Sequence, residues 1–303
     1  MNRSSRYSWR HVLIPLSWLY GLVIWIRNTL YDNGLIKATG FSIPIISVGN
    51  ITVGGTGKTP HAEYLVDLFS GAYRVAALSR GYRRKSRDFR IAIPGSTTRE
   101  MGDEPMQIKN RFPDVTVSVD RKRVNGVREL MKLSPPMEVI VMDDAYQHRS
   151  IRTGYSILLI DFNRPLDHDH LLAAGMLREP AANRNRANMI LVTRTPEEMK
   201  PIEMREYVNR LGLGIGQHLF FTTMRYGNLF PVFGDGESKD PDEFKDRTGG
   251  VLIISGVAHP GTLGDYARDI STNLEEIRFG DHHRYSGKEV ARIQEKMKKL
   301  AGP

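Results

Sequence analysis

The stretch SVGNITVGGTGKTP, residues 47–60, decides the fold. It ends like a phosphate-binding loop but lacks part of the pattern. G-x-x-x-x-G-K-[ST] asks for a glycine five residues before Gly57, and that position is Thr52. Gly54, Gly55 and Gly57 still let the backbone take positive φ and approach an anion closely. Main-chain N–H groups along Thr52, Val53, Gly54, Gly55, Thr56 and Gly57 would cradle phosphate oxygens at a helix N-terminus. Lys58 would reach the β- and γ-phosphates, and the Thr59 hydroxyl would hold Mg²⁺.

The context supports this reading. SIPIISV (42–48) is an apolar, β-branched run that predicts a buried strand, and an amphipathic helix is expected from about Pro60 to Phe69. Pro60 suits a first helical turn, whose N–H groups are spare. The clustered GG-x-GKT resembles the loop of the deviant Walker ATPases that position proteins and plasmids. Those usually carry a lysine just before the paired glycines, where this chain has Val53.

Working outward, strands are expected at RVAALS (74–79), VTVSV (115–119), EVIVM (138–142), SILLID (156–161) and MILVT (189–193). Helices are expected over about 121–132 and 196–211, the second with a break or restart at Pro201. Strands alternating with helices predict a parallel α/β/α sheet of the P-loop class. Asp143 and Asp144 end the EVIVM strand, at the carboxyl edge where open α/β sheets bind ligands. One such carboxylate typically helps to hold Mg²⁺.

Near residue 219 the texture changes. LFFTTMRYGNLFPV (219–232) reads as two strands around a Gly-Asn turn, a polar stretch runs over 234–250, and VLIIS (251–255) starts a new strand–loop–helix pattern. The expected organisation is an N-terminal helix (1–30), a P-loop core (31–218), a two-stranded β linker (219–250) and the rest of a smaller α/β domain (251–303).

Composition narrows the partners. There is no cysteine, which excludes disulfides and thiolate metal sites. The net charge of +9 suits an anionic partner: nucleic acid, an acidic membrane surface or a phosphorylated substrate. HVLIPLSWLYGLVIWI (11–26) carries no charge, and the three tryptophans, Trp9, Trp18 and Trp25, lie in or beside it. Sixteen helical residues rise ~24 Å, short of the ~30 Å hydrocarbon core, so the segment is marginal as a spanning helix. A membrane-associated helix is expected, either lying in the interface or serving as a single N-terminal anchor. Ser17 and Gly21 form a small-xxx-small pair that would admit another helix.

Several motifs recur in order and closely resemble one family: VGNITVGGTGKTP (48–60), SRGYRRK (79–85), GDEP (102–105), DDAYQH (143–148), LREP (177–180) and DHHRY (281–285). The chain resembles the tetraacyldisaccharide 4'-kinases of lipid A synthesis over nearly its whole length. The resemblance implies transfer of the γ-phosphate of ATP to the 4'-hydroxyl of a tetraacyldisaccharide 1-phosphate, at the cytoplasmic face of the inner membrane of Gram-negative bacteria. It implies that Asp143 and Asp144 act at the metal and γ-phosphate, and that Glu179 supports Mg²⁺. It also implies that Asp103 is the base near the sugar hydroxyl, tuned by a histidine of the DHH motif, His282 first and His283 second. An anionic lipid substrate and the membrane surface are the expected partners, with no nucleic acid and no obligate protein partner. Two departures occur: Ala145-Tyr146 where the family has glycine and phenylalanine, and Gly280 where it has proline. Both leave the charged groups intact.

The remaining candidates weigh less. Arg80, Tyr82 and Arg83 sit in a basic run that could touch an anionic head group or form a solvated face. Arg121, Lys122 and Arg123 open a helix, where the dipole disfavours positive charge and an anion, such as a substrate phosphate, would relieve it. DHDH (167–170) reads as a loop, not a transition-metal site, and LGLGIG (211–216) as a helix end. The rival function is a deviant-Walker positioning ATPase at a membrane or on DNA. It leaves GDEP, LREP and DHH without a role.

Overall fold

The computed structural model describes residues 12–82, 84, 86–231, 236–245, 250–256, 261–280, 283 and 285–300, without the side chains of His168 and Thr262. Asp281, His282 and Arg83 therefore lie outside the described residues, as does Trp9. The chain divides into two compact units, residues 1–224 and 225–303.

The first unit is built on an eight-stranded sheet of order β3-β4-β2-β5-β1-β6-β7-β8. The strands are β1 (Ile45–Asn50), β2 (Val75–Ser79), β3 (Arg90–Ile91), β4 (Thr116–Val119), β5 (Val139–Met142), β6 (Tyr155–Asp161), β7 (Met189–Thr193) and β8 (His218–Phe221). All pairings are parallel except β3 with β4. The helices are α1 (Ile14–Asp32), α2 (Lys58–Ser70), α3 (Thr98–Met101), α4 (Asp103–Arg111), α5 (Arg123–Leu130) and α6 (Pro201–Leu211).

Both sheet faces are covered, which explains the continuous apolar runs. Along β2, Val75 and Ala77 enter the core beneath α2 and α4, while Ala76 and Leu78 enter the opposite core with Val127 and Leu130 of α5. Ile51, Tyr146, Leu158, Ile160 and Leu177 form a third core. The strand β1 lies between β5 and β6, so the order in which strands are added reverses there, and the carboxyl edge at such a point is where open α/β sheets bind ligands. Every strand expected between residues 42 and 193 is present, and α6 starts at Pro201 as the restart reading required. The short helices α3 and α4, which carry GDEP, had no sequence expectation.

Two expectations change. Residues 219–221 belong to β8, which pairs parallel with β7, and not to a hairpin around Gly227-Asn228. The open edge of β7 offers unpaired N–H and C=O groups, and local alternation cannot say which edge a strand will join. Among the described residues of this region the antiparallel pairing is a single bridge, Leu229 with Lys239. Likewise, the Ser17–Gly21 pair admits a loop and not a helix. A Cβ on Gly21 would lie 2.8 Å from the Leu171 side chain, and the Ser17 hydroxyl bonds the Leu171 carbonyl at 2.9 Å.

The helix α1 thus has one face on the first unit and one bare. Tyr20 donates to the Arg178 carbonyl, Arg27 to that of Gln147, and Arg149 back to that of Asn28. Trp18 and Trp25 remain 73% and 61% exposed, beside exposed Leu19, Leu22, Val23 and Ile26. Among the described residues no helix is long and apolar enough to cross a membrane.

The second unit, taken by itself, is a small βαβ unit. Strands β9 (Val251–Ser255) and β10 (Leu274–Arg278) pair parallel, with α7 (Gly261–Ile270) between them in sequence and α8 (Gly287–Leu300) after.

Candidate active site

The phosphate loop is shaped from beneath. Gly54 and Gly57 take φ of +104° and +82°, and Gly57 is the residue from which α2 starts. Thr56 is fully buried: Asn50 Nδ2 bonds its hydroxyl at 2.8 Å, and the Thr193 hydroxyl donates to its carbonyl at 3.0 Å. His61 Nδ1 lies 2.7 Å from the Gly57 carbonyl, and its Nε2 lies 3.1 Å from the Thr222 hydroxyl. A carbonyl can only accept, so Nδ1 carries the proton and Nε2 accepts from Thr222. Burial lowers the His61 pKa, which keeps this neutral tautomer.

The LREP segment is zipped to this loop. Val53 N–H donates to the Met176 carbonyl and Arg178 N–H to that of Ile51, both at 2.7 Å, making an antiparallel bridge between Thr52 and Leu177. Arg178 and Glu179 thereby arrive beside the nucleotide loop. Glu179 is fully buried; its Oε2 accepts from Asn183 and Arg186 at 2.6 Å each, and its Oε1 has no partner. The Tyr146 departure is absorbed here. Its hydroxyl donates to the Asn183 carbonyl at 2.6 Å, and Arg186 lies over its ring at 4.8 Å. Gly49 leaves room for it, since a Cβ there would meet Tyr146 at 2.7 Å.

The paired aspartates leave β5 at the same edge. Asp144 takes φ of +47°, a left-handed conformation uncommon outside glycine. Its Oδ1 lies 3.7 Å from Lys58 Nζ and 3.5 Å from Arg178 NH1. Burial alone would raise the Asp144 pKa, but Lys58, Arg178 and Arg123 outweigh it and hold the carboxylate ionised. Asp143 is 3% exposed; its Oδ1 accepts the Asp144 N–H at 2.8 Å and its Oδ2 is unpartnered. Burial, then the charges of Glu104 and Asp144, push its pKa up to about 7.

Two buried atoms, Asp143 Oδ2 and Glu179 Oε1, therefore lack partners at one sheet edge. Hard oxygen donors of this kind fit Mg²⁺, which usually takes one or two carboxylates and completes its shell with phosphate and water. No group of three or more His, Cys, Asp or Glu side chains able to hold a metal ion occurs among the described residues. Asp169 of DHDH serves its own loop, its Oδ1 accepting the N–H groups of His170 and Met176.

Asp103 is the first residue of α4 and exposed. Two glycines set it there. A Cβ on Gly81 would meet the Met101 carbonyl oxygen at 2.6 Å, and one on Gly102 would meet Gly81 Cα at 3.0 Å. Both take positive φ, +66° and +95°. The RGY turn, with exposed Arg80 and Tyr82, thus lies directly on the start of α4.

The basic opening of α5 resolves differently from its residue order. Arg121 is exposed and lines a cavity of about 650 Å³ with Arg87, Lys122 and Asn125. Arg123 is the buried one, 1% exposed, and donates to the carbonyls of Asp120 at 2.9 Å and Asp143 at 3.1 Å. Burial lowers its pKa to about 10, so it stays charged at neutral pH. Burial, with Arg123 and Arg80 nearby, depresses His148 to about 4 and keeps it neutral. The anion expected at Arg121, Lys122 and Arg123 thus falls to the exposed Arg121 and Lys122, while Arg123 is taken up by main-chain carbonyls. His148 and Arg178 had no assigned role from the sequence; both lie inside the quoted DDAYQH and LREP motifs, which was the available signal. His283 bonds Glu289 at 3.0 Å and stacks on Phe279.

Comparison with known proteins adds the following. Residues 9–301 match the family model of the tetraacyldisaccharide-1-P 4'-kinases. The tetraacyldisaccharide 4'-kinase of Phocaeicola vulgatus is 43% identical over 291 residues, covering 95% of this chain and 79% of that protein. That of Flavobacterium johnsoniae is 41% identical over 287 residues, covering 95% and 83%. Among solved structures, LpxK from Aquifex aeolicus in complex with ATP is similar, with a TM-score of 0.73 and 35% identity over 92% of this chain and 84% of that one.

Proposed function

The chain belongs to the tetraacyldisaccharide 4'-kinase family, and from that premise we propose how its residues divide the work of phosphorylating the 4'-hydroxyl of a tetraacyldisaccharide 1-phosphate with ATP. The product class is a bisphosphorylated lipid disaccharide of lipid A synthesis. The observation that carries the reading is the convergence of the Lys58 loop, Asp144 and the LREP segment through the Thr52–Leu177 bridge.

The main-chain N–H groups of Gly54, Gly55, Thr56 and Gly57 bind the phosphate chain, and Lys58 offsets its β/γ charge. Bound Mg²⁺ supplies further charge neutralisation on the phosphate oxygens. Thr59, Asp143 and Glu179 are the residues to hold it. Asp144 keeps Lys58 and Arg178 oriented toward the γ-phosphate. Asp103 takes the proton of the sugar hydroxyl, a poor nucleophile until a base lies within hydrogen-bond reach; His282 is the second group assigned to that step. Arg80, Tyr82, Arg83 and Arg121 are the candidates for the anionic head group. The bare apolar face of α1, with Trp18 and Trp25, rests in the interface of the inner membrane on its cytoplasmic side.

The test is transfer from γ-labelled ATP to tetraacyldisaccharide 1-phosphate in detergent micelles, with Lys58→Ala as control. Labelled lipid that disappears in the variant is the expected result. ATP hydrolysis with unlabelled lipid would point to a positioning ATPase instead.

A further inference from the structure

The exposed apolar residues of α1 form one side of the helix, and the other side carries polar groups. Ser17, Tyr20 and Arg27, spaced by three and then seven residues, share that inner face. All three bond main-chain atoms of segments that lead to the nucleotide loop. The Ser17 hydroxyl donates to the Leu171 carbonyl at 2.9 Å and accepts the Ala174 N–H at 2.8 Å. Tyr20 donates to the Arg178 carbonyl at 2.8 Å. Arg27 donates to the Gln147 carbonyl at 2.6 Å; Gln147 in turn donates to the carbonyl of Asn50, whose amide bonds Thr56 of the loop. Apolar packing alone would hold a lipid anchor. Directional bonds to single acceptors fix an orientation.

Of these bonds, the one from Tyr20 lies nearest the chemistry. The main chain of Arg178 is gripped from two sides, its N–H by the Ile51 carbonyl at 2.7 Å and its own carbonyl by Tyr20. That carbonyl belongs to the peptide joining Arg178 to Glu179. On one side of the peptide the Arg178 guanidinium reaches Asp144 at 3.5 Å. On the other, fully buried Glu179 keeps Oε1 unpartnered. A planar peptide turns as a unit, so its rotation would swing both side chains. Burial, and next the charge of Glu179, raise the Tyr20 pKa, which keeps the hydroxyl a donor at neutral pH.

We propose that Tyr20 is a positioning residue for the reaction: its hydroxyl holds the Arg178–Glu179 peptide so that the Glu179 carboxylate faces the metal and the Arg178 guanidinium faces phosphate. The inference rests on the proposed kinase function, which places those two side chains at those groups. Tyr20 acts through the main chain and not on the reacting atoms. The helix α1 then has two jobs on opposite faces, one toward lipid and one toward the frame of the active site.

The test uses the full chain with Tyr20→Phe, which deletes the donor and keeps the ring. The rate of lipid labelling at saturation should fall about 5- to 10-fold, the scale of one hydrogen bond, and the Mg²⁺ needed for half the maximal rate should rise. Tyr31→Phe on the same helix is the control and should match wild type, because among the described residues Tyr31 makes only ring contacts, with Arg27 and Arg149. A second readout needs no lipid: the affinity of a fluorescent ATP analogue, with and without Mg²⁺. The gain in affinity from Mg²⁺ should shrink several-fold in Tyr20→Phe. In a Glu179→Gln background the same replacement should shrink that gain no further, since the hydroxyl works on the metal through Glu179. An unchanged Mg²⁺ gain, with or without a lowered melting temperature, overturns the proposal, and so do losses that simply add in the double variant. Should wild type fail to label lipid while its Mg²⁺ gain still depends on Tyr20, the kinase reading fails and the positioning role stands.

Discussion

Glu63 of α2 accepts a hydrogen bond from Gln107 of α4 at 2.8 Å. Its other oxygen accepts from Arg111, also at 2.8 Å, and the carboxylate is almost fully buried. Glu63 lies one turn beyond Thr59, and Gln107 one turn beyond Asp103. The clasp therefore fixes the register of the helix that starts at the nucleotide loop against the helix that starts at the proposed base. Glu63→Ala should cost about 1–3 kcal/mol, the scale of hydrogen bonds to a charged group, and lower kcat more than KM for ATP. Denaturation and steady-state kinetics on the same preparation check it; an unchanged kcat in a destabilised protein would leave the clasp purely structural.

Asp143 gives a pH prediction. Its folded pKa, about 7, lies above the ordinary carboxylate value, so between about pH 4 and 7 the native state holds a proton that the unfolded chain releases. Stability from this group is present at low pH and lost as pH rises through 7. Asp143→Asn should therefore raise the stability of the metal-free protein at pH 8 by about 1–3 kcal/mol, with little effect at pH 4, while removing activity. Urea denaturation at the two pH values measures this. Added Mg²⁺ should narrow the gap at pH 8, because the wild-type carboxylate then has a partner. Equal shifts at both pH values would refute it.

Gly81 tolerates no side chain. Positive φ and a backbone oxygen 2.6 Å from the new Cβ both oppose Gly81→Ala. The expected loss is about 2–4 kcal/mol, from left-handed strain and overpacking together. Gly34→Ala, also at positive φ but with nothing within 4 Å, is the control and should lose only the strain. Comparable losses for both would show that the contact with Met101 at the end of α3 is not tight.

The apolar face of α1 predicts a separable membrane function. Trp18→Glu with Trp25→Glu should leave the melting temperature within a degree or two, since both side chains are largely exposed. Flotation with vesicles containing anionic phospholipid should drop several-fold. Retained flotation would move the membrane contact elsewhere on the chain.

The sheet was readable because strands buried on both faces are continuous apolar runs. EVIVM and SILLID needed no tertiary information, and the two aspartates followed from the end of the first. The phosphate loop was readable from Lys58 and Thr59 despite the missing glycine. Glu179 and Asp103 came from family motifs, because a buried carboxylate and an exposed one look alike in sequence. Three features were not readable. The choice of β7 as the partner of 218–221 depends on an open edge formed by distant residues. The split between buried Arg123 and exposed Arg121 depends on where α5 begins. The seat of Arg164 over Gly54 joins residues 110 positions apart.

The bridge between Thr52 and Leu177 has a consequence for anyone mapping the protein by mutation. It consists of two main-chain hydrogen bonds, so no side-chain replacement removes its donors except proline. A saturation scan would score Ile51, Val53 and Met176 by their packing and overlook the strut that joins nucleotide loop to LREP. The nucleotide and metal binding proposed for these two segments should nonetheless be energetically linked, with metal affinity rising when nucleotide is bound and the reverse by the same factor. Replacing the Val53 or Arg178 amide with an ester, which deletes one donor and keeps every side chain, would expose that linkage as a smaller mutual enhancement.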